Sequence, residues 1–278
     1  MAFTTRFAPS PTGYLHLGHA FSALSAADAA RAAGGRLLLR IEDIDIGRCR
    51  PEFETAILED LAWLGLAWEE PVRRQSEHMG EYAGVLQTLI DRGLVYRCFR
   101  TRKEIAAAIA SAPHEIARDV FHGEALPPSE EEERMARAEP FAWRLSLKKA
   151  RAVLGAAYFS LTFEDESGRV RAEPDRLGDV IVARKDFSTS YHLASVWDDA
   201  QSGVTHVIRG EDLREAAHLH VLLQRLLDLQ QPIYRHHRLI LGEDGKRLAK
   251  RDQAATLRAL RASGRTPGDV RALLNLPC

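Results

Sequence analysis

Two periods of apolar residues run through the first part of the chain. Phe3–Ala8 reads as a short strand. It breaks at Pro9-Ser10-Pro11-Thr12-Gly13, because two prolines and a glycine continue neither a strand ladder nor a helix. The Ala-rich stretch His19–Ala33 has strong helix propensity. Gly34-Gly35 ends it, as residues that tolerate a left-handed backbone do at helix C-termini. Arg36–Ile41 (RLLLRI) then predicts a buried strand whose apolar run suits a parallel sheet covered on both faces. Strand, turn, helix and strand together make the βαβ unit of a nucleotide-binding α/β fold.

Further helices are predicted over Pro51–Leu64 and Gly80–Arg92, the second closed by Gly93. Between Cys98 and Leu177 the pattern changes: a Pro-Pro pair, the acidic run Glu130–Glu133 and short alternating segments such as Tyr158–Glu164. The acidic run reads as a solvated helix start. The α/β pattern returns in strands over Asp179–Ala183 and Gly203–Ile208, followed by a helix over Glu215–Leu229. The expected architecture is α/β: a Rossmann-like domain with a parallel sheet, split into 1–97 and 178–252, an inserted smaller α+β domain over 98–177, and a short basic helical tail over 253–278.

Composition narrows the partners. The chain has 278 residues, 45% of them hydrophobic, enough to bury one or two cores. Its net charge of −1 is uninformative, but the distribution is not: from Arg235 onward ten basic residues face four acids, leaving −7 on the remainder. A basic end on a neutral protein suits a polyanion, either a nucleoside triphosphate or an RNA backbone; a solvated helix surface is the plainer reading of the last arginines. Three cysteines without a spaced cluster fit a reducing compartment. With no long apolar run and no basic-then-apolar leader, a cytoplasmic protein without membrane contact is expected.

The chemistry concentrates in Arg6-Phe7-Ala8-Pro9-Ser10-Pro11-Thr12-Gly13-Tyr14-Leu15-His16-Leu17-Gly18-His19. A turn feeding a helix N-terminus attracts phosphate, because unpaired N–H groups and the helix dipole both favour negative charge. His16 and His19, three apart at that mouth, can face the same phosphates as donors, and Gly18 between them is expected to let a flat base approach the backbone. This segment resembles the "HIGH" signature of class I aminoacyl-tRNA synthetases in its glutamate form. Arg40-Ile41-Glu42-Asp43 resembles that family's RIED strand end, and Tyr191-His192-Leu193-Ala194 with His206–Leu213 resembles its second substrate-binding half. Gly245–Arg251 resembles the "KMSKS" loop. The likeness extends to about Asp252.

A glutamate site needs a guanidinium fork for the side-chain carboxylate, since that geometry is bidentate and arginine stays charged. Arg6 and Arg209, each at the C-terminal end of a predicted strand, are the candidates, and the resemblance implies that both contact glutamate. Glu42 would take the substrate ammonium, Tyr191 would wall the pocket, and Ala8 and Ser10 would border the amino acid. His16, Gly18, His19, Glu211 and Lys250 are the ATP candidates, with His16, His19 and Lys250 acting on the phosphates. Mg²⁺ is expected to arrive with ATP, held mostly by phosphate oxygens and water, and no protein metal ligands are assigned.

Only 26 residues follow Asp252, too few for an anticodon-reading domain of ordinary size. This plan resembles a branch of the family that attaches glutamate to the queuosine base of tRNA-Asp, docking its anticodon stem-loop, and a monomer is expected. The segment 98–177 and the basic tail are the expected RNA contacts. Many members of that branch carry zinc in the insert, begun by a Cys-x-Cys pair. Here Arg100 stands where the second cysteine would fall, His114 and His122 offer no demanding spacing, and zinc is expected to be absent. In the lysine loop, RLAKR replaces the commoner serine-containing pattern. Three other readings stand beside this one: a compact synthetase charging a tRNA 3′ end, a non-catalytic glutamate or adenylate sensor, and an HxGH nucleotidyltransferase.

Overall fold

The computed structural model of the chain describes residues 2–110, 120–185, 187, 189–240 and 256–277. They form two compact units, the first comprising 1–77, 203–214 and 232–278, the second 78–202 and 215–231.

In the first unit, strand β1 (Thr4–Phe7), helix α1 (Leu17–Ala32) and strand β2 (Arg36–Ile41) build the expected βαβ unit. The two strands pair in parallel from Thr4↔Arg36 to Phe7↔Leu39. Helix α2 (Pro51–Trp63) leads to strand β3 (Glu69–Arg74), which pairs in parallel with the other edge of β2. Sequence patterning misses β3 because only Val72 of its six residues is buried. All four residues of β1 are buried, as a strand covered on both faces requires. The buried face of α1 consists mainly of alanines (Ala20, Ala23, Ala26, Ala27 and Ala30), whose small side chains allow close packing. Gly35 is needed where the chain turns into β2, since a Cβ there would come within 2.3 Å of the Phe3 carbonyl oxygen.

A second parallel ladder joins strand His206–Gly210 to strand Ile233–His237. The latter, too, is not anticipated by the apolar pattern, because exposed and buried positions alternate through polar residues. Thr205 N donates to Thr4 O at 2.9 Å, and Thr4 N donates to Thr205 Oγ1 at 2.9 Å, so the two ladders meet along β1.

The C-terminal helices Leu257–Ala262 and Pro267–Leu273 belong to this unit's core. Leu257, Val270 and Leu274 are buried in one apolar cluster with Phe7, Leu24 and Ile57. Thr256 bridges to His16, and Leu257 N donates to Leu15 O at 2.8 Å. Three tail arginines are engaged inside the unit. Arg271 gives Asp28 two hydrogen bonds of 2.8 Å, Arg261 reaches Glu59 at 3.0 Å, and Arg258 donates to the Tyr14 hydroxyl at 2.9 Å. Arg271, first by its hydrogen bonds, holds the Asp28 carboxyl below its ordinary value. These side chains serve the fold, and the picture of a separate basic tail gives way to a packed segment.

The second unit contains an antiparallel sheet in the order Val95–Cys98, Ala142–Leu145, Ile181–Arg184. This sheet crosses both boundaries drawn from the sequence. The composition changes at Cys98, yet the strand ending there pairs with one inside the predicted insert. The acidic run lies, as read, in a helix, Pro128–Ala136. The alternating stretch Tyr158–Glu164 is part helix, Ala156–Phe159, and part strand, Thr162–Asp165, which pairs with Gly168–Arg171. Buried Asp179 is the polar centre of this unit. Its carboxylate accepts from Tyr96 Oη at 2.9 Å, Gly123 N at 2.9 Å and Leu147 N at 3.0 Å. Tyr82 Oη donates to Asp198, and Trp197 Nε1 donates to Glu81, tying helix Met79–Asp91 to helix Tyr191–Gln201. Among the described residues no helix is long and apolar enough to cross a membrane.

One group makes the first unit's stability depend on pH. Asp60, on α2, is fully buried, and neither carboxylate oxygen has a hydrogen-bond partner among the described residues. Burial pushes its pKa from 3.8 to about 6, against the pull of Arg261 at 3.6 Å. A carboxyl whose folded pKa is raised favours folding while protonated, and that contribution is lost as pH climbs from about 4 through 6. A shift of this size is worth at most ~3 kcal/mol. Asp60→Asn, which mimics the neutral acid, should therefore raise the thermal midpoint at pH 8 and leave it nearly unchanged at pH 4. An equal effect at both values in a calorimetric scan would contradict the assignment.

Candidate active site

The carboxyl ends of parallel strands are where open α/β sheets collect ligands. Arg6 lies in β1 one residue before its end, Glu42 directly follows β2, and Arg209 is the penultimate residue of its strand. Glu42 N donates to Pro9 O at 3.0 Å, which pins the turn after β1, with Ala8 and Ser10, against the end of β2. The turn itself closes through Thr12 N to Ser10 O at 2.9 Å.

Arg6 and Arg209 are 5% and 4% exposed, so this unit buries their guanidinium groups, like that of Arg40, at its strand ends. Arg6 Nη1 donates to Ile208 O at 3.4 Å, the residue before Arg209. Arg209 Nε donates to His236 Nε2 at 3.3 Å, and its guanidinium lies 5.3 Å from the Tyr234 ring centroid. Buried cations of this kind carry a desolvation cost that a bound anion offsets. Glu42 pairs with Arg40 at 3.0 Å, both nearly buried. Residues 40 and 42 share one face of an extended segment, so Arg40 was within reach of sequence reasoning as the group that holds Glu42. The neighbouring Asp43 is turned to another task, accepting from Ser76 N and Ser76 Oγ at 2.8 and 2.6 Å.

At the start of α1 the two histidines cap the helix, a place usually taken by Ser, Thr, Asp or Asn. Gly18 N donates to His16 Nδ1 at 3.1 Å, and His16 N donates to His19 Nδ1 at 3.2 Å. The rings sit 3.8 Å apart. A backbone N–H is always the donor, so both Nδ1 atoms are acceptors and the neutral rings carry their protons on Nε2. That tautomer suits donation to phosphate oxygens at a helix N-terminus.

A Cβ on Gly18 would lie 3.0 Å from His16 Cε1 and 3.1 Å from His16 Nδ1, so glycine makes room for the His16 ring.

Glu211, after the strand end, accepts from Leu239 N at 3.4 Å. Tyr191 belongs to the second unit, at the start of helix Tyr191–Gln201, with the rings of His192 and His220 5.4 and 5.7 Å away. His192 Nδ1 and His220 Nε2 are 3.2 Å apart. Lys250 and the rest of Gly245–Arg251 lie outside the described residues, as does His114. Among the described residues no group of three or more His, Cys, Asp or Glu side chains could hold a metal. Arg100, at the position of the zinc branch's second cysteine, has its guanidinium 5.8 Å from the Phe121 ring, and buried Cys98 packs with Tyr96 and Phe121.

The family described as tRNA synthetases class I (E and Q), catalytic domain, matches residues 2–276. A glutamyl-Q tRNA(Asp) synthetase of Rhodobacter capsulatus is 50% identical over 280 residues, covering 98% of this chain and 99% of that protein. A glutamate–tRNA ligase of Aquifex aeolicus is 38% identical over 280 residues, covering 99% of this chain and 56% of the ligase. Among solved structures, a glutamate–tRNA synthetase from Elizabethkingia anophelis superposes with a TM-score of 0.73 at 31% identity, over 91% of this chain and 53% of that one. The chain thus spans about half the length of these full synthetases.

Gly18→Ala tests the His16 ring. Alanine favours a helix over glycine by about 1 kcal/mol, and loss of the His16 cap costs about as much, so the melting temperature should change little. The methyl must push the His16 ring away, and the KM for ATP should rise about tenfold, equivalent to ~1.4 kcal/mol, with the KM for glutamate changed less than threefold. Steady-state pyrophosphate exchange would show an unchanged ATP dependence if the ring does not meet phosphate.

Proposed function

We propose, from the premise that this chain belongs to the catalytic-domain family of class I tRNA synthetases for glutamate and glutamine, that it activates L-glutamate with ATP and transfers it to the queuosine base of tRNA-Asp. The observation that carries the acceptor is the 50% identity to a glutamyl-Q tRNA(Asp) synthetase, against 38% to glutamate–tRNA ligases. The enzyme is a ligase, and ATP supplies the energy for the bond it makes.

In the first step the α-carboxylate of glutamate attacks the α-phosphorus of ATP and pyrophosphate leaves. No protein nucleophile is needed, so catalysis is positioning and stabilisation of charge on the phosphates. Arg6 and Arg209 receive the side-chain carboxylate, and their burial makes the neutral amide of glutamine a poor substitute. Glu42, oriented by Arg40, receives the ammonium. Ala8, Ser10 and Tyr191 border the amino acid in this reading. His16 and His19 donate from Nε2 to phosphate oxygens, Gly18 accommodates the His16 ring, Glu211 meets the nucleoside, and Lys250 supplies a cation on the opposite side of the phosphates. Mg²⁺ enters with ATP. Two imidazole N–H groups and a helix N-terminus form a donor set that fits phosphate, so the metal is held by phosphate oxygens and water.

In the second step a hydroxyl of the queuosine base attacks the adenylate carbonyl and AMP leaves. The anticodon stem-loop docks on the protein as a monomer, and the segment 98–177 is the part read as contacting RNA. That segment is held without zinc, a reading supported by Arg100 over Phe121 and by the Asp179 hydrogen bonds. The reaction belongs to the cytoplasm, where tRNA and ATP meet.

Radiolabelled glutamate, supplied with ATP, should label queuosine-containing tRNA-Asp and leave both a queuosine-free transcript and tRNA-Glu unlabelled. Label on tRNA-Glu would favour charging of a 3′ end, to which the 38% identity with glutamate–tRNA ligases also points. Absence of label on every tRNA would overturn the transfer reading. Glutamine, in the same assay, should be activated at least tenfold less efficiently than glutamate.

A further inference from the structure

We propose that His236 is a positioning residue for glutamate, holding Arg209 so that its two terminal amino groups meet the side-chain carboxylate. The inference rests on the reading of Arg209 as a glutamate ligand. Residues 209 and 236 are 27 positions apart, and the parallel ladder sets them directly opposite one another, His236↔Arg209. Opposed residues in a ladder project to the same face, so the register places the imidazole beside the guanidinium. Both side chains are buried, at 8% and 4% exposure.

The contact has a direction. Arginine donates through Nε and has no acceptor, so at 3.3 Å the His236 Nε2 atom is the acceptor and the ring proton belongs on Nδ1. Tyr234, two residues earlier on the same face, brings its ring to 5.3 Å from the guanidinium and 6.1 Å from the His236 ring, the two ring planes parallel within 1°. An arginine offers a carboxylate two forks, the Nε–Nη edge or the Nη1–Nη2 end. The His236 bond commits Nε and directs the end-on pair to the substrate. A fixed fork loses less rotational freedom on binding than a swinging one, which appears in affinity. His236 touches neither substrate nor nucleotide in this account and acts only through Arg209.

Three variants and one control test this in pyrophosphate exchange with the full chain. His236→Leu removes the acceptor and should raise the KM for glutamate about tenfold (~1.4 kcal/mol), with kcat within threefold and the KM for ATP unchanged. His236→Gln, whose amide oxygen reaches the Nε2 position, should return the KM for glutamate to within threefold of wild type. His236→Asn ends short of that position and should repeat the leucine defect without placing an apolar branch beside the cation, which covers the case of a leucine variant that fails to fold. Arg209→Lys is the control for the underlying reading. If it leaves the KM for glutamate unchanged, Arg209 is no glutamate ligand and the His236 role falls with it. If Arg209→Lys is impaired while His236→Asn is not, the site reading stands and the positioning role alone is wrong. Equal rises in both KM values, or no rescue by glutamine, would reduce His236 to a packing residue.

Discussion

Guanidinium groups buried at the ends of parallel strands set the terms for the first unit. An ion removed from water carries a cost of several kcal/mol unless its surroundings answer it, and the unit is arranged to answer it. Arg6 reaches a carbonyl on the neighbouring strand, and Arg209 is held by an imidazole across the ladder and faces an aromatic ring. The alanine face of α1, the all-buried β1 and the glycine against Phe3 bring helix and sheet close together. Strand ends supply the cations, and the helix N-terminus supplies the donors.

The same economy governs α1, whose ends are fixed by different chemistry. Its first turn is capped by His16 and His19, which gives both rings the Nε2-protonated tautomer before any ligand arrives. Asp28, on its later turns, is clamped by two hydrogen bonds from Arg271 of the C-terminal segment. That segment also adds a backbone bond to Leu15 beside the signature turn. Its arginines, which in composition suit a polyanion, are engaged within the unit, Arg271 on α1, Arg261 on α2 and Arg258 on Tyr14. Asp60 is the exception in this segment's seat, a carboxyl offered Arg261 at a distance but no hydrogen bond among the described residues.

The second unit solves a different problem. Its core holds a buried charge of the opposite sign. Here a buried carboxylate, Asp179, collects a phenol and two backbone N–H groups. A carboxylate with several donors is well satisfied, so its burial is affordable where an unpaired charge would not be. Burial, then Asp179, pushes the Tyr96 phenol above its ordinary value, which keeps that donor protonated.

The sequence by itself determined the βαβ start, the turn, the helix after it and the family of the site, because these depend on local periods, turn residues and motifs contiguous in the chain. Arg6, His16, His19, Glu42 and Arg209 were legible as candidates for that reason. Strands β3 and Ile233–His237 were not, since edge strands rich in charged and polar residues carry little apolar signal. The boundary at Cys98 misled, because composition changes there while hydrogen bonding does not. Only the tertiary structure decided that His236 faces Arg209, that Arg271 meets Asp28 across 243 positions, and that Gly18 yields space to a ring. These are a cross-ladder register, a long-range ion pair and a steric contact, and none leaves a periodic trace along the chain.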